Sequence, residues 1–157
     1  MQMKKLLLLL SHGLFLGIGF AVGIYLLPIL TQPPAPDDRQ VGEVASKALF
    51  TGHFSPNLED SDALHFGDGT FYISDKAISF DGRIAPGPDY RLYLSPVFVE
   101  TKADFEANKD KMVQAGEVRT FNNFMVNLSS EINPADYNSA IIWCESFSIF
   151  ITAGRYQ

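Results

Sequence analysis

From Leu6 to Leu30 the chain reads LLLLLSHGLFLGIGFAVGIYLLPIL, without a single formal charge. Pro28 disfavours the helical conformation of its predecessor, so the regular helix is predicted to end near Leu27. The roughly 22 residues left rise about 33 Å at ~1.5 Å each, enough for a ~30 Å hydrocarbon core. A cleaved signal peptide has a shorter apolar core followed by a small-x-small site. Here the run is longer and is followed by Thr31-Gln32-Pro33-Pro34-Ala35-Pro36, so an uncleaved signal anchor is expected. Lys4 and Lys5 precede the span, while Asp37 and Asp38 dilute Arg39 after it. The positive-inside rule then places the N-terminus in the cytoplasm and the rest outside, periplasmic or at the cell surface, with Tyr25 at the outer interface. Gly13/Gly17 and Gly19/Gly23 have helix-dimer spacing but face opposite sides, and His12 has no charged partner in the span.

The chain has 157 residues, with 18 carboxylates and 12 Lys and Arg. Residues 1–30 hold only two of the cations and none of the carboxylates, so the remainder has a net charge of −8. An acidic domain without a basic run argues against nucleic acid as a partner. Cys144 is the lone cysteine, which excludes an intrachain disulfide, a Cys-x-x-Cys pair and a multi-thiolate zinc site. The organisation expected is a cytoplasmic tail (1–5), a transmembrane anchor (6–30), a proline-rich tether (31–43) and one extracytoplasmic domain (44–157).

That domain is punctuated like an all-β chain. Ala48–Thr51 leads into Gly52-His53-Phe54. Gly69–Ile73 is followed by a turn at Ser74-Asp75-Lys76 and a strand at Ala77–Phe80, with Asp81-Gly82 as another turn. Tyr90–Leu94 alternates with the period of a half-buried strand. Thr101 and Asp104 have capping-box spacing for one short helix carrying Phe105, Lys109, Met112 and Val113, with Gly116 as its stop. Strands follow at Val118–Phe121 and Phe124–Leu128. A turn at Asp136-Tyr137-Asn138 precedes the most apolar strand, Ala140–Thr152. Many short strands and one helix predict a mainly β fold, an antiparallel sandwich or barrel, behind a single N-terminal transmembrane helix.

Cys144 stands out as a reactive residue. In a regular strand it lies beside Ala140 and Ile142, opposite Ile141 and Trp143, and Glu145 falls on the apolar face, where an unpaired carboxylate is costly. A bulge at Cys144-Glu145 would re-aim both side chains. A free cysteine often packs as a small hydrophobe, yet a thiol outside the cytosol is open to oxidation. Both readings stand at this level. His53 and His65 lie near Glu59, Asp60, Asp62 and Asp68, but their spacing matches no metal signature, so no metal site is expected. Pro86-Gly87-Pro88-Asp89-Tyr90 reads as a sharp loop leading into the next strand, with Asp89 bonding backbone donors. Asn127-Leu128-Ser129 is a glycosylation sequon.

Gly87-Pro88-Asp89-Tyr90 with Leu92-Tyr93-Leu94, then Tyr137, Ile142-Trp143-Cys144, Phe147 and Phe150, resembles the DM-thirteen domain family. Its members are exported β-rich modules, found beside DOMON domains and described as electron-transfer domains. The resemblance runs from about Phe50 to Tyr156, with Gly52-His53-Phe54 as the opening and Gly69 with Ile73 as the first hairpin. It implies a sandwich-like fold and a redox role for Cys144, as a free thiol or a haem ligand. Trp143 (as a shield), Glu145 and Asp89 would support that cysteine. A haem would need a second ligand, with His53, His65 and Met125 as candidates. The reading is therefore a membrane-anchored redox module, held by residues 6–30 and serving a redox partner, rather than a turnover enzyme. The alternative is a non-catalytic sandwich that binds a protein or glycan, with Cys144 structural.

Overall fold

The computed structural model describes residues 2–157. It begins with a helix, α1 (Gln2–Thr31), that is long and apolar enough to cross a membrane and has no buried residue. The helix runs on through Pro28 instead of ending before it. Proline loses the bond to the Ile24 carbonyl and crowds that oxygen, yet Ile29 packs on the core of the following domain and Thr31 Oγ1 donates to the Leu27 carbonyl at 2.8 Å.

A second helix, α2 (Asp38–Ala45), forms within the segment expected as a tether. Asp37 and Gln40 make a reciprocal capping box at its start, which satisfies two otherwise orphaned N–H groups. Its one buried side chain is Val41, and the Val41 carbonyl accepts from Ser79 Oγ at 3.3 Å. The extended stretch before it is pinned by Asn123 Nδ2, which donates to the Pro36 carbonyl at 2.9 Å.

The domain is an antiparallel sandwich of two four-stranded sheets. The first has the order β1 (Phe50–Phe54), β2 (Gly67–Ile73), β3 (Ala77–Ile84), β6 (Asn123–Asn127). The second has the order β5 (Val113–Val118), β4 (Tyr90–Ser95), β7 (Ser139–Cys144), β8 (Ile149–Arg155). Between the sheets lies an aromatic core that includes Phe54, Phe71, Phe80 and Phe124 with Leu92, Ile142 and Ile151. A second cluster occupies the outer face of the second sheet: Tyr93, Ile141, Trp143 and Phe150. The helix α3 (Lys102–Asn108) covers it with Phe105, whose ring stacks on Trp143 at 4.0 Å between centroids. Thr101 Oγ1 accepts from the Asp104 amide at 3.0 Å and so caps α3 as its spacing predicts. Because β7 is covered on both faces, every residue in it is buried.

Four local expectations are corrected. Asp81-Gly82 is not a turn but part of β3, paired with Thr70 and Gly69. The reason is close approach: a Cβ on Gly82 would lie 2.6 Å from Gly69 Cα and 2.3 Å from the Asp68 carbonyl oxygen, so glycine serves the sheet here. Gly116 lies inside β5 opposite Leu92 instead of stopping the helix, which passes into a 3-10 turn at Lys109–Lys111. Residues 119–122 connect β5 to β6 and are not strand. Finally, the stretch 140–152 is two strands, and the break at Cys144-Glu145 is a hairpin turn over residues 145–148.

Candidate functional site

That hairpin turn and the loop before β4 meet at one end of the second sheet. The β4–β7 pairing sets Tyr90 opposite Cys144, and on β7 the alternation of a strand puts Cys144 with Ala140 and Ile142 in the inter-sheet core. The Cys144 thiol donates to the Pro88 carbonyl at 3.0 Å. Each residue of Gly87-Pro88-Asp89-Tyr90 has a separate part in this junction. A Cβ on Gly87 would lie 2.3 Å from the Tyr90 hydroxyl, so the loop can fold over that ring only without a side chain there. Tyr90 OH donates to the Ala85 carbonyl at 3.0 Å and closes the loop on itself.

Asp89 is the clamp. It adopts the left-handed conformation, φ 57°, which Asp tolerates better than most residues. Its carbonyl accepts from the Glu145 amide at 3.1 Å, its Oδ2 accepts from Ser146 Oγ at 2.8 Å, and its Oδ1 pairs with Arg91 at 2.7 Å. Ser148, at the far side of the turn, is also left-handed at φ 51°. These two are the non-glycine residues with positive φ among the described residues, and the turn that Asp89 binds ends at Ser148.

The thiol is 3 % exposed as a residue. Burial is the main cause that pushes its pKa up, and the Asp89 and Glu145 carboxylates push the same way. The Phe147 and Ser146 amides facing the sulfur pull it down without prevailing. Cys144 is thus a protonated thiol at neutral pH and not a low-pKa nucleophile. Cys144 nonetheless lines a pocket of about 270 Å³, with Leu64, His65, Tyr90 and Phe147 from the domain and Ala21, Ile24 and Tyr25 from α1.

Trp143 does not shield Cys144, contrary to expectation. Successive strand residues point to opposite faces, so its indole lies in the outer cluster under α3, with Nε1 buried and unpartnered among the described residues. Lys102 and Lys109 sit 5.4 and 5.8 Å from its ring centroid. Glu145 is not on an apolar face either: the reversal at 145–148 turns it out to Lys109, 2.9 Å from each carboxylate oxygen, and to the Tyr93 hydroxyl, which donates to it. Partial burial opposes its ionisation, but these donors outweigh that and hold its pKa below the usual carboxylate value. Neither Lys109 nor Tyr93 has a sequence signal that links it to position 145.

The three candidate second ligands are dispersed. His53 is exposed on β1, 3.5 Å from Asp68, and Met125 is 37 % exposed on β6. Only His65 reaches the Cys144 pocket, its Nδ1 held by Asp62 at 3.0 Å. The arrangement does not fit a haem held by Cys144 and one of these three, because Sγ is engaged by Pro88 and His65 Nδ1 by Asp62, while His53 and Met125 do not line the pocket. Among the described residues no group of three His, Cys, Asp or Glu side chains is placed to hold a metal ion.

A family model described as "Electron transfer DM13" matches residues 57–156. The match covers β2 to β8, with both the Gly87–Tyr90 loop and Cys144, and leaves out β1 with Gly52-His53-Phe54. No curated protein and no solved structure matches the chain.

Proposed function

From the premise that the chain belongs to the electron-transfer DM13 family, we propose that it is a membrane-anchored, extracytoplasmic redox module whose working group is Cys144. The observation that carries this reading is the junction between the thiol and the Gly87–Tyr90 loop. A left-handed Asp89, a glycine demanded by the Tyr90 ring and a carbonyl aimed at the sulfur converge on one cysteine. Core cysteines ordinarily need only a cavity of the right size. Such convergence of constrained backbone is typical of sites rather than of simple packing.

Because the sulfur is protonated, giving up an electron is coupled to losing the Sγ proton, and the Pro88 carbonyl orients that proton without being basic enough to take it. The module therefore works with a partner that accepts both. Asp89 holds the turn that covers the thiol, and Glu145, neutralised by Lys109, anchors the other side of that turn. The Lys4-Lys5 flank before the span, against the single Arg39 shortly after it, favours an outward-facing domain. Burial of Cys144 favours a second reading, a binding module in which the cysteine is packing.

The test is redox titration and alkylation of the full chain in micelles, beside Cys144→Ser. On the redox reading the native protein takes up oxidising equivalents that Cys144→Ser lacks, and native alkylation goes on accelerating above the ordinary thiol value of 9.0, because the thiol's pKa is raised. If Cys144 reacts only after unfolding and both proteins titrate alike, the binding-module reading replaces it.

A further inference from the structure

We propose that the pocket end of the sandwich is a membrane-docking surface, with Leu64 and Phe147 set into the lipid interface beside α1 and the pocket facing the bilayer instead of bulk water. The proposal rests on α1 spanning the membrane, as read above, and is independent of what Cys144 does.

The argument is one of depth. Lys4 and Lys5 stay outside the hydrocarbon at the inner boundary. A ~30 Å core at ~1.5 Å per residue then holds about 20 residues, which runs from Leu6 to Tyr25. Ala21, Ile24 and Tyr25 therefore belong to the outermost part of the hydrocarbon and its boundary. These same three residues line the pocket together with Leu64 and Phe147 of the domain. Loops that line one pocket with Ala21 lie near its depth, about 6 Å below the level of Tyr25 at ~1.5 Å per residue.

The chemistry of that end agrees. Leu64 is 57 % and Phe147 47 % exposed, each in a loop tip where water would favour a polar residue. Tyr25 suits a headgroup-level ring. Three of the carboxylates at that end have a cationic or ring partner: Asp62 with His65, Asp89 with Arg91, Glu145 with Lys109. Such pairing lowers the cost of bringing them near lipid. Glu59 and Asp60, in the 55–66 loop, are exposed and have no ion pair among the described residues. The opposite end of the first sheet, the Asp75-Lys76 turn, is charged and exposed. It lies about 23 Å away at ~3.3 Å per residue along β2, so the two ends meet different surroundings.

The full chain with native Cys144 is reconstituted into phosphatidylcholine nanodiscs with or without brominated acyl chains, and tryptophan quenching is read above the constant Trp143 background. Leu14→Trp reports on the span, Leu64→Trp and Phe147→Trp on the docking end, and Asp75→Trp on the far end. Interfacial groups sit ~5–10 Å into the headgroup boundary, so quenching at 64 and 147 is expected to exceed that at 75 by about twofold or more. If position 14 is quenched while 64 and 147 match 75, the domain stands clear of the bilayer and the proposal is wrong although the anchor is right. If position 14 is not quenched, the anchor fails and docking with it. Photocrosslinking of the wild-type protein by a diazirine-bearing acyl chain needs no substitution. Crosslinks within 55–66 or 145–148 are expected, and crosslinks confined to α1 would overturn the docking.

Discussion

The proton on Cys144 has one acceptor, the Pro88 carbonyl, and the turn that covers the sulfur has one side-chain clamp from the neighbouring loop, the Asp89 carboxylate. Removing the clamp separates positioning from packing. Asp89→Ala loses the bonds to Ser146 and Arg91 and puts a residue less suited to positive φ at position 89. A charged hydrogen bond contributes ~1.5–3 kcal/mol and half-exposed ones less, so a loss of about 1 kcal/mol is expected. Because ~1.4 kcal/mol is a factor of ten in an equilibrium, ~1 kcal/mol is about fivefold, and native alkylation of Cys144 should rise by about that much. Ser148→Gly is the control: it relieves a left-handed serine and leaves the clamp intact, so stability should change by less than ~1 kcal/mol and alkylation not at all. Equal alkylation of Asp89→Ala and the parent protein would remove Asp89 from the site.

At the level of elements, α3 has a single buried side chain, Phe105, and that ring closes the outer face of β4, β7 and β8. Phe105→Ala leaves Trp143 without its stacked partner and opens a cavity. Substitutions of this kind cost ~3–5 kcal/mol, and the emission of Trp143 should shift to the red as water reaches it. A blue emission with unchanged stability would mean that the outer cluster repacks. The same elements show where local patterns mislead. Asp81-Gly82 and Gly116 carry turn and stop chemistry, yet both glycines lie within strands. Glycine at a close backbone approach and glycine at positive φ look identical in one dimension. The Cys144-Glu145 break was legible as a break, but a bulge and a hairpin differ only in where the next strand pairs.

The whole molecule responds to pH through thiol and phenol groups withdrawn from water and through two hydrogen-bonded carboxylates. Burial raises the pKa of Cys144 above its ordinary 9.0, and of Tyr90, Tyr93 and Tyr156 above their ordinary 10.0. A group whose folded pKa is raised contributes stability that is full below its unfolded value and is lost as pH rises toward the folded one. Glu145 and Asp62 have lowered values, below 4.5 and 3.8, so their contribution is present above those values and is lost on acidification. Denaturant midpoints in micelles should therefore be flat between about pH 5 and 9 and fall on both sides. Tyr90→Phe, which removes one raised phenol, should make the alkaline fall shallower. An alkaline limb as steep in that variant would place the titration elsewhere.

Much of this protein is written locally. The uncharged run from Leu6 onward, the cations before it, the acidic remainder and the alternation at Tyr90–Leu94 are properties of neighbouring residues, and physics reads them without knowing the fold. Cys144 and the Gly87–Tyr90 loop stood out for the same reason, each by its own composition. That they meet was decided only by the pairing of β4 with β7, which brings a carbonyl and a thiol 56 positions apart to 3.0 Å. Tertiary folding likewise turned Trp143 away from the sulfur, brought Lys109 and Tyr93 to Glu145, and put Ala21, Tyr25 and Phe147 around one pocket. Such neighbours come from strand register and the packing of elements, and these depend on burial summed over the entire core, which no short stretch of sequence contains.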